Sequence, residues 1–248
     1  MNKQENHQGK SFFLKGANGT GVLLFHGWTS PPDELLPLAK YLNSLGYTVS
    51  APLLRGHGTR PEDLECVHWK DWLKDARRAL QEFEKITPKI IVGGISMGGD
   101  IAMHLAEENS VAGVIVLGAA VKYKVHFLAG LALFFMGLTK KYRKKYYPPW
   151  VRKKIGNRKV YMYYPIESAK EVMRLAIATR EILSRITKPI LIMQSTTDHM
   201  VSRKSPQMIF DGVSAEIKEI YWVENAYHVF VEDEKVWKKI GEFILRAF

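Results

Sequence analysis

A single cysteine, Cys66, in 248 residues excludes an intramolecular disulfide and suits a reducing compartment. It is read as a small buried residue rather than as a nucleophile. Long apolar runs are also missing. The greasiest stretch, HFLAGLALFFMGL at 126–138, is too short to span a bilayer and suits a buried or interfacial helix instead. There are no internal repeats and no low-complexity linker. The polar start MNKQENHQGKSFF lacks the apolar core of a signal peptide, so a cytoplasmic protein is expected. Acidic residues are absent over a long interval: none occurs between Glu108 and Glu167, which encloses nine lysines and three arginines.

That gap accounts for the net charge of +11. Outside it, 24 basic residues face 25 acidic ones, so the basicity is local to one segment. A local basic patch can serve an anionic surface or nucleic acid, but beside the catalytic residues read below no nucleic-acid partner is expected. With 46% hydrophobic and 25% charged residues, the chain has enough apolar material for one sizeable core.

What is present is a rhythm. Apolar strand-like runs at 20–27, 47–54, 89–94, 111–120, 189–195 and 216–223 alternate with helical patterns at 33–46, 61–86, 97–109, 166–186, 203–211 and 233–248. Such alternation predicts a mainly parallel sheet with helices on both faces. The helix at 33–46 carries a stripe of Leu35, Leu38, Ala39, Leu42 and Leu45, and the one at 61–86 a stripe of Trp69, Leu73, Ala76, Leu80 and Phe83. Residues 121–165 break the rhythm. The expected organisation is a core of 1–120 and 166–248 with a cap or lid at 121–165.

The run KIIVGGISMGGD at 89–100 places Ser96 between Gly94 and Gly98. A strand turning sharply into a helix crowds the positions two before and two after its apex, so glycine is favoured at both, and the strained turn lifts the serine hydroxyl off the sheet edge. G-x-S-x-G alone arises by chance about once in ten chains of this length. Its place between a buried strand and an apolar-faced helix makes it a nucleophile elbow. A serine needs a base, and the base needs an acid to hold its tautomer. Behind such an elbow the acid and then the histidine follow on loops after later strands. Asp198, after PILIMQSTT, and His228, in VENAYHVF after the next strand, meet that order. His104 lies on the nucleophile's own helix, two turns on. His199 directly follows the acid, a poor place from which to be oriented by it, and is read as a surface residue. The N–H of Met97 supplies one oxyanion donor, and the Trp28 N–H in the loop after VLLFHG supplies the other. His26 is read as a structural hydrogen-bonding residue.

These stretches, with LLFHGWTSPPDE, RGHGTRPEDLE, STTDHMV and NAYHVF, resemble the α/β-hydrolase superfamily, and within it the bacterial carboxylesterase and monoacylglycerol lipase group. The resemblance spans most of 20–120 and 188–247. It implies the α/β-hydrolase fold with a cap insertion and a cofactor-free, metal-free serine esterase acting on small acyl esters such as monoacylglycerols. Its oxyanion hole matches Trp28 and Met97, and Arg55 and His57 of RGHG are read as tying the loop beside the site. Across 121–165 the match fails. There Phe127, Leu131 and Phe134, with Trp28, are the candidates for holding the acyl chain. The lysine- and arginine-rich stretch after them is either a solvated face or a contact for an anionic membrane surface, which would place the enzyme peripherally at a membrane. A thioesterase or lysophospholipase with an anionic substrate, and a non-catalytic binder of anionic surfaces, stay open as alternatives.

Overall fold

The computed structural model describes residues 9–107, 111–123, 141–147, 149, 151–152 and 158–248. Seven strands form one sheet: β1 (Phe12–Leu14), β2 (Thr20–Phe25), β3 (Thr48–Ala51), β4 (Lys89–Ile95), β5 (Val111–Leu117), β8 (Ile190–Ser195) and β9 (Lys218–Val223), in the order β1-β3-β2-β4-β5-β8-β9. Every neighbouring pair is parallel except β1 with β3. β1 falls in the polar N-terminal stretch, where no periodicity announces it. Two further strands among the described residues, β6 (Tyr142–Lys144) and β7 (Tyr163–Pro165), pair antiparallel in a separate ribbon.

Successive side chains of a strand point to opposite faces, and the central strands are apolar on both. Leu23, Phe25, Ile90, Val92, Val114, Val116, Ile190 and Ile192 bury one face, under α2 (Trp69–Glu84), α3 (Met97–Leu105), α4 (Ile166–Ile182) and α5 (Ser205–Gly212). Val22, Leu24, Ile91, Ile115, Leu117, Leu191 and Met193 bury the other, under α1 (Leu36–Ser44) and α6 (Glu234–Ala247). The expected helices on both faces of a parallel sheet are present. β9, at the edge, is only half-buried over most of its length.

Four local expectations need correction. The predicted helix 61–86 is two elements, a 3-10 turn Pro61–Leu64 and then α2. The break is set at His68, whose N–H donates to the Asp71 carboxylate at 3.0 Å and so starts a new helix. The buried stripe of α2 then runs through Trp72 rather than Trp69, which is half-buried. Leu45 ends α1 as an exposed residue. Cys66, in the loop between the two elements, is exposed rather than buried.

Candidate active site

Ser96 sits at the apex between β4 and α3 with φ 54° and ψ −118°, a sparsely populated conformation that costs a non-glycine residue about 1–3 kcal/mol. The flanking glycines are required by close approach. A Cβ on Gly94 would lie 2.3 Å from the Gly98 carbonyl, and one on Gly98 would lie 2.0 Å from the Phe25 carbonyl oxygen. The elbow is thus pressed against the end of β2, from which the Trp28 loop departs.

Asp198 and His228 come together. His228 Nδ1 donates to Asp198 Oδ2 at 2.7 Å, with both side chains buried. Asp198 Oδ2 also accepts from the Gln194 amide at 2.6 Å, and Oδ1 from the N–H groups of Met200 and Val201 at 2.7 and 2.9 Å. Burial works against the carboxylate charge. The neighbouring His228 and these backbone N–H groups outweigh it and pull the Asp198 carboxyl down to about 2. An acid so held fixes the proton of His228 on Nδ1 and leaves Nε2 as the acceptor.

The end of β5 links this pair to the elbow. The Leu117 carbonyl accepts the Ser96 N–H at 2.8 Å, and a Cβ on Gly118 would lie 3.5 Å from His228 Cε1. Ser96 and His228 therefore flank the same two residues. The Asp198 loop is stapled to the His228 loop by two hydroxyls and a backbone N–H: Ser195 Oγ and Thr197 Oγ1 both donate to the Ala226 carbonyl, and the Thr196 N–H donates to Val223 O at 3.0 Å. The hydroxyl-rich STT before Asp198 was the available sequence signal for this staple.

Met97, fully buried, opens α3, where no carbonyl of the preceding helical turn exists to accept its N–H. On the other side, the Gly27 N–H is taken by Glu34 Oε1 at 2.5 Å, and Trp28 follows it in a turn closed by Ser30 N–H to Gly27 O at 3.2 Å. The indole of Trp28 donates to Ser168 Oγ at 2.8 Å and packs 4.6 Å from the Tyr164 ring. His26 has both ring nitrogens engaged, Nδ1 donating to the Gly27 carbonyl (3.0 Å) and Nε2 accepting from the Leu54 N–H (3.1 Å). Arg55 pairs with Asp75 and Asp71, and the buried His57 donates from Nδ1 to the Arg55 carbonyl at 3.1 Å. These contacts brace the loop beside the site.

His199 is not a plain surface residue. It is half-buried, with its ring edge-to-face to His228 at 6.2 Å and 6.4 Å from the Tyr147 ring. Phe127, Leu131 and Phe134 lie outside the described residues.

One network was missed altogether. Arg158 Nη2 donates to Glu34 Oε2 at 2.7 Å, and Nη1 donates to the hydroxyl of Tyr227, the residue before His228. The Glu34 side chain is 3% exposed and that of Arg158 13%. Glu34 thus holds the Trp28 loop at one oxygen and, through Arg158, the His228 loop at the other. In the sequence, Arg158 was only one cation of the basic segment.

That segment is less naked than its composition suggests. Lys141 pairs with Glu65 at 2.5 Å, Arg158 with Glu34, and Lys159 with Asp33 at 3.5 Å. Carboxylates from the core supply the counter-charges that the segment itself lacks. Among the described residues, no helix is long and apolar enough to cross a membrane.

The chain is similar to known proteins over most of its length. The thermostable monoacylglycerol lipase of Bacillus sp. (strain H-257) is 34% identical over 218 residues, 86% of this chain and 84% of that protein. A carboxylesterase of Bacillus subtilis (strain 168) is 27% identical over 240 residues, 95% and 96% of the two chains. A solved structure from work on two metagenome-derived lipolytic enzymes, LipS and LipT, superposes with a TM-score of 0.86 at 28% identity, covering 98% of this chain and 100% of that one. The monoacylglycerol lipase of Paleococcus ferrophilus superposes with a TM-score of 0.80 over 96% of this chain and 98% of that one, at 18% identity, and shares the fold. The family model described as serine aminopeptidase, S33, matches residues 18–235, and the chain belongs to that family of α/β-hydrolases as a serine hydrolase.

Proposed function

We propose that the protein is a serine esterase that hydrolyses carboxylic esters with an apolar acyl chain, monoacylglycerols among them, through an acyl-enzyme. The reading rests above all on the buried Asp198–His228 pair at 2.7 Å beside the strained Ser96 elbow. Ser96 Oγ attacks the ester carbonyl while His228 Nε2 takes its proton, and Asp198 stabilises the imidazolium that forms. The N–H groups of Met97 and Trp28 receive the oxyanion. Collapse of the tetrahedral species expels the alcohol, which takes the proton from His228. Water, deprotonated by the same imidazole, then attacks the acyl-enzyme and frees Ser96. The names of the two Bacillus relatives support an ester substrate. Rates over p-nitrophenyl and glycerol esters of increasing chain length test the reading: a preference for apolar acyl chains is expected, and wild-type protein inactive on every ester would overturn it.

A peripheral membrane contact through the basic segment remains part of the proposal in reduced form. Lys141, Arg158 and Lys159 are engaged with core carboxylates, and Lys145 turns inward. Lys122, Arg143, Lys144 and Arg152 are the exposed cations of the segment outside those pairs, among the described residues.

A further inference from the structure

Lys145 stands apart from the other cations of its segment. The ribbon pairing of β6 with β7 continues one residue further, the Lys145 N–H donating to the Met162 carbonyl at 2.8 Å. Side chains alternate along such a ribbon, so that Lys144 and Tyr146 are exposed while Lys145 and Tyr147 turn inward. The Lys145 ammonium donates to Thr29 Oγ1 and lies 5.7 Å from the centre of the Trp28 ring and 6.0 Å from that of Tyr147.

These neighbours lead to both sides of the candidate site. Trp28 and Thr29 belong to the loop proposed to hold the oxyanion. Tyr147 lies against His199, and His199 against His228. Lys145 therefore belongs to the wall that runs from the Trp28 loop to the base. No carboxylate among the described residues pairs with it. Glu34, the acid acting on it, already spends its two oxygens on Gly27 and Arg158. The charged and titratable groups facing Lys145 are Glu34, Arg158 and His57, with Tyr147 beside it. Burial drags its amine down to about 7, Glu34 opposing and Arg158 assisting. Lys145 as a whole is half-buried, and charging an amine shielded from water without an anionic partner costs free energy that a ligand anion would offset.

We propose that Lys145 binds an anionic oxygen group, a carboxylate or a phosphate, carried by the ester substrate, and that it selects esters charged close to the scissile bond. The proposal rests on the esterase reading. Two matched pairs test it and separate the two places the charge can sit. Mono-p-nitrophenyl glutarate against p-nitrophenyl butyrate puts the charge on the acyl side. A lauroyl lysophosphatidate against monolauroylglycerol puts it on the alcohol side. The quantity read is the ratio of kcat/KM for the charged ester to that for the neutral one. In one of the pairs the ratio should fall at least about tenfold in Lys145→Met, the scale of a lost charge-assisted hydrogen bond, and Lys145→Arg should restore most of it. Equal loss on charged and neutral esters in both pairs would mean that Lys145 only packs the ribbon against Trp28, and the proposal fails. No loss on any of the four esters overturns it as well. Wild-type protein inactive on all four esters would instead overturn the esterase reading, and this proposal with it.

Discussion

At the scale of single residues, His228 and His199 are the two imidazoles that face each other beside the candidate site, and their environments divide the work. His228 has Nδ1 on a carboxylate held at about 2, while His199 turns its ring edge towards it. Steady-state hydrolysis of a soluble p-nitrophenyl ester should fall by about four to six orders of magnitude in His228→Ala and stay within about tenfold of the parent in His199→Ala. The reverse ranking would transfer the base to His199. A second residue, Asp100 on α3, bears on stability instead. It is fully buried, and burial holds its carboxyl up at about 8 against the pull of the Ala120 backbone, Thr179 and Arg180. In the folded state it stays protonated up to that pH, whereas in the unfolded chain it ionises near 4. Between those values the unfolded state binds fewer protons, so this residue's contribution to stability is full below about 4 and is lost as pH rises to about 8, at up to about 1.4 kcal/mol per unit. Urea denaturation from pH 4 to 8 should show Asp100→Asn gaining stability relative to wild type as pH rises. A difference that stays constant over that range would show that Asp100 does not titrate there.

At the scale of elements, the Trp28 loop and the His228 loop are tied through Glu34 and Arg158 rather than through the sheet alone. Breaking one partner of a largely buried pair leaves the other charge uncompensated, at a cost of about 3–5 kcal/mol. Arg158→Met should therefore lower the thermal midpoint strongly, and Glu34→Gln combined with it should recover part of the loss; a double variant no better than the single one would refute the coupling. These ties also show which parts of the molecule were legible beforehand. The Ser96 turn and the meeting of Asp198 with His228 could be read because each residue follows a strand in the order that the elbow demands, and sheet strands announce themselves by apolar runs. The Glu34–Arg158 pair spans 124 positions, and nothing local marks either member as the other's partner. The β6–β7 ribbon was hidden for a related reason. Its three-residue strands carry no apolar periodicity and are anchored by tyrosines, Tyr142 to Glu65 and Tyr163 to Glu62. The merged helix at 61–86 failed because Leu64 and Val67 keep an apolar, buried spacing up to the break, while the helix start is set by one side-chain acceptor, Asp71.

At the scale of the whole molecule, the net charge of +11 overstates the free positive surface, since core carboxylates neutralise part of the basic segment. If the remaining exposed cations bring the enzyme to anionic membranes, replacing Arg143 and Lys144 by glutamine should weaken binding to phosphatidylserine vesicles in a salt-dependent way, by about 1 kcal/mol per engaged charge. Hydrolysis of a small soluble ester should change by less than about twofold in that variant. Unaltered vesicle binding would reduce these residues to a solvated face and leave the esterase reading in place. One strained serine, served by the Asp198–His228 pair, is proposed to perform the chemistry. The most direct test is to treat the protein with a fluorophosphonate and map the adduct by peptide mass spectrometry. A single modification on Ser96, lost in Ser96→Ala together with ester hydrolysis, is the expected result; an adduct on any other residue, or hydrolysis that survives in Ser96→Ala, would contradict the account.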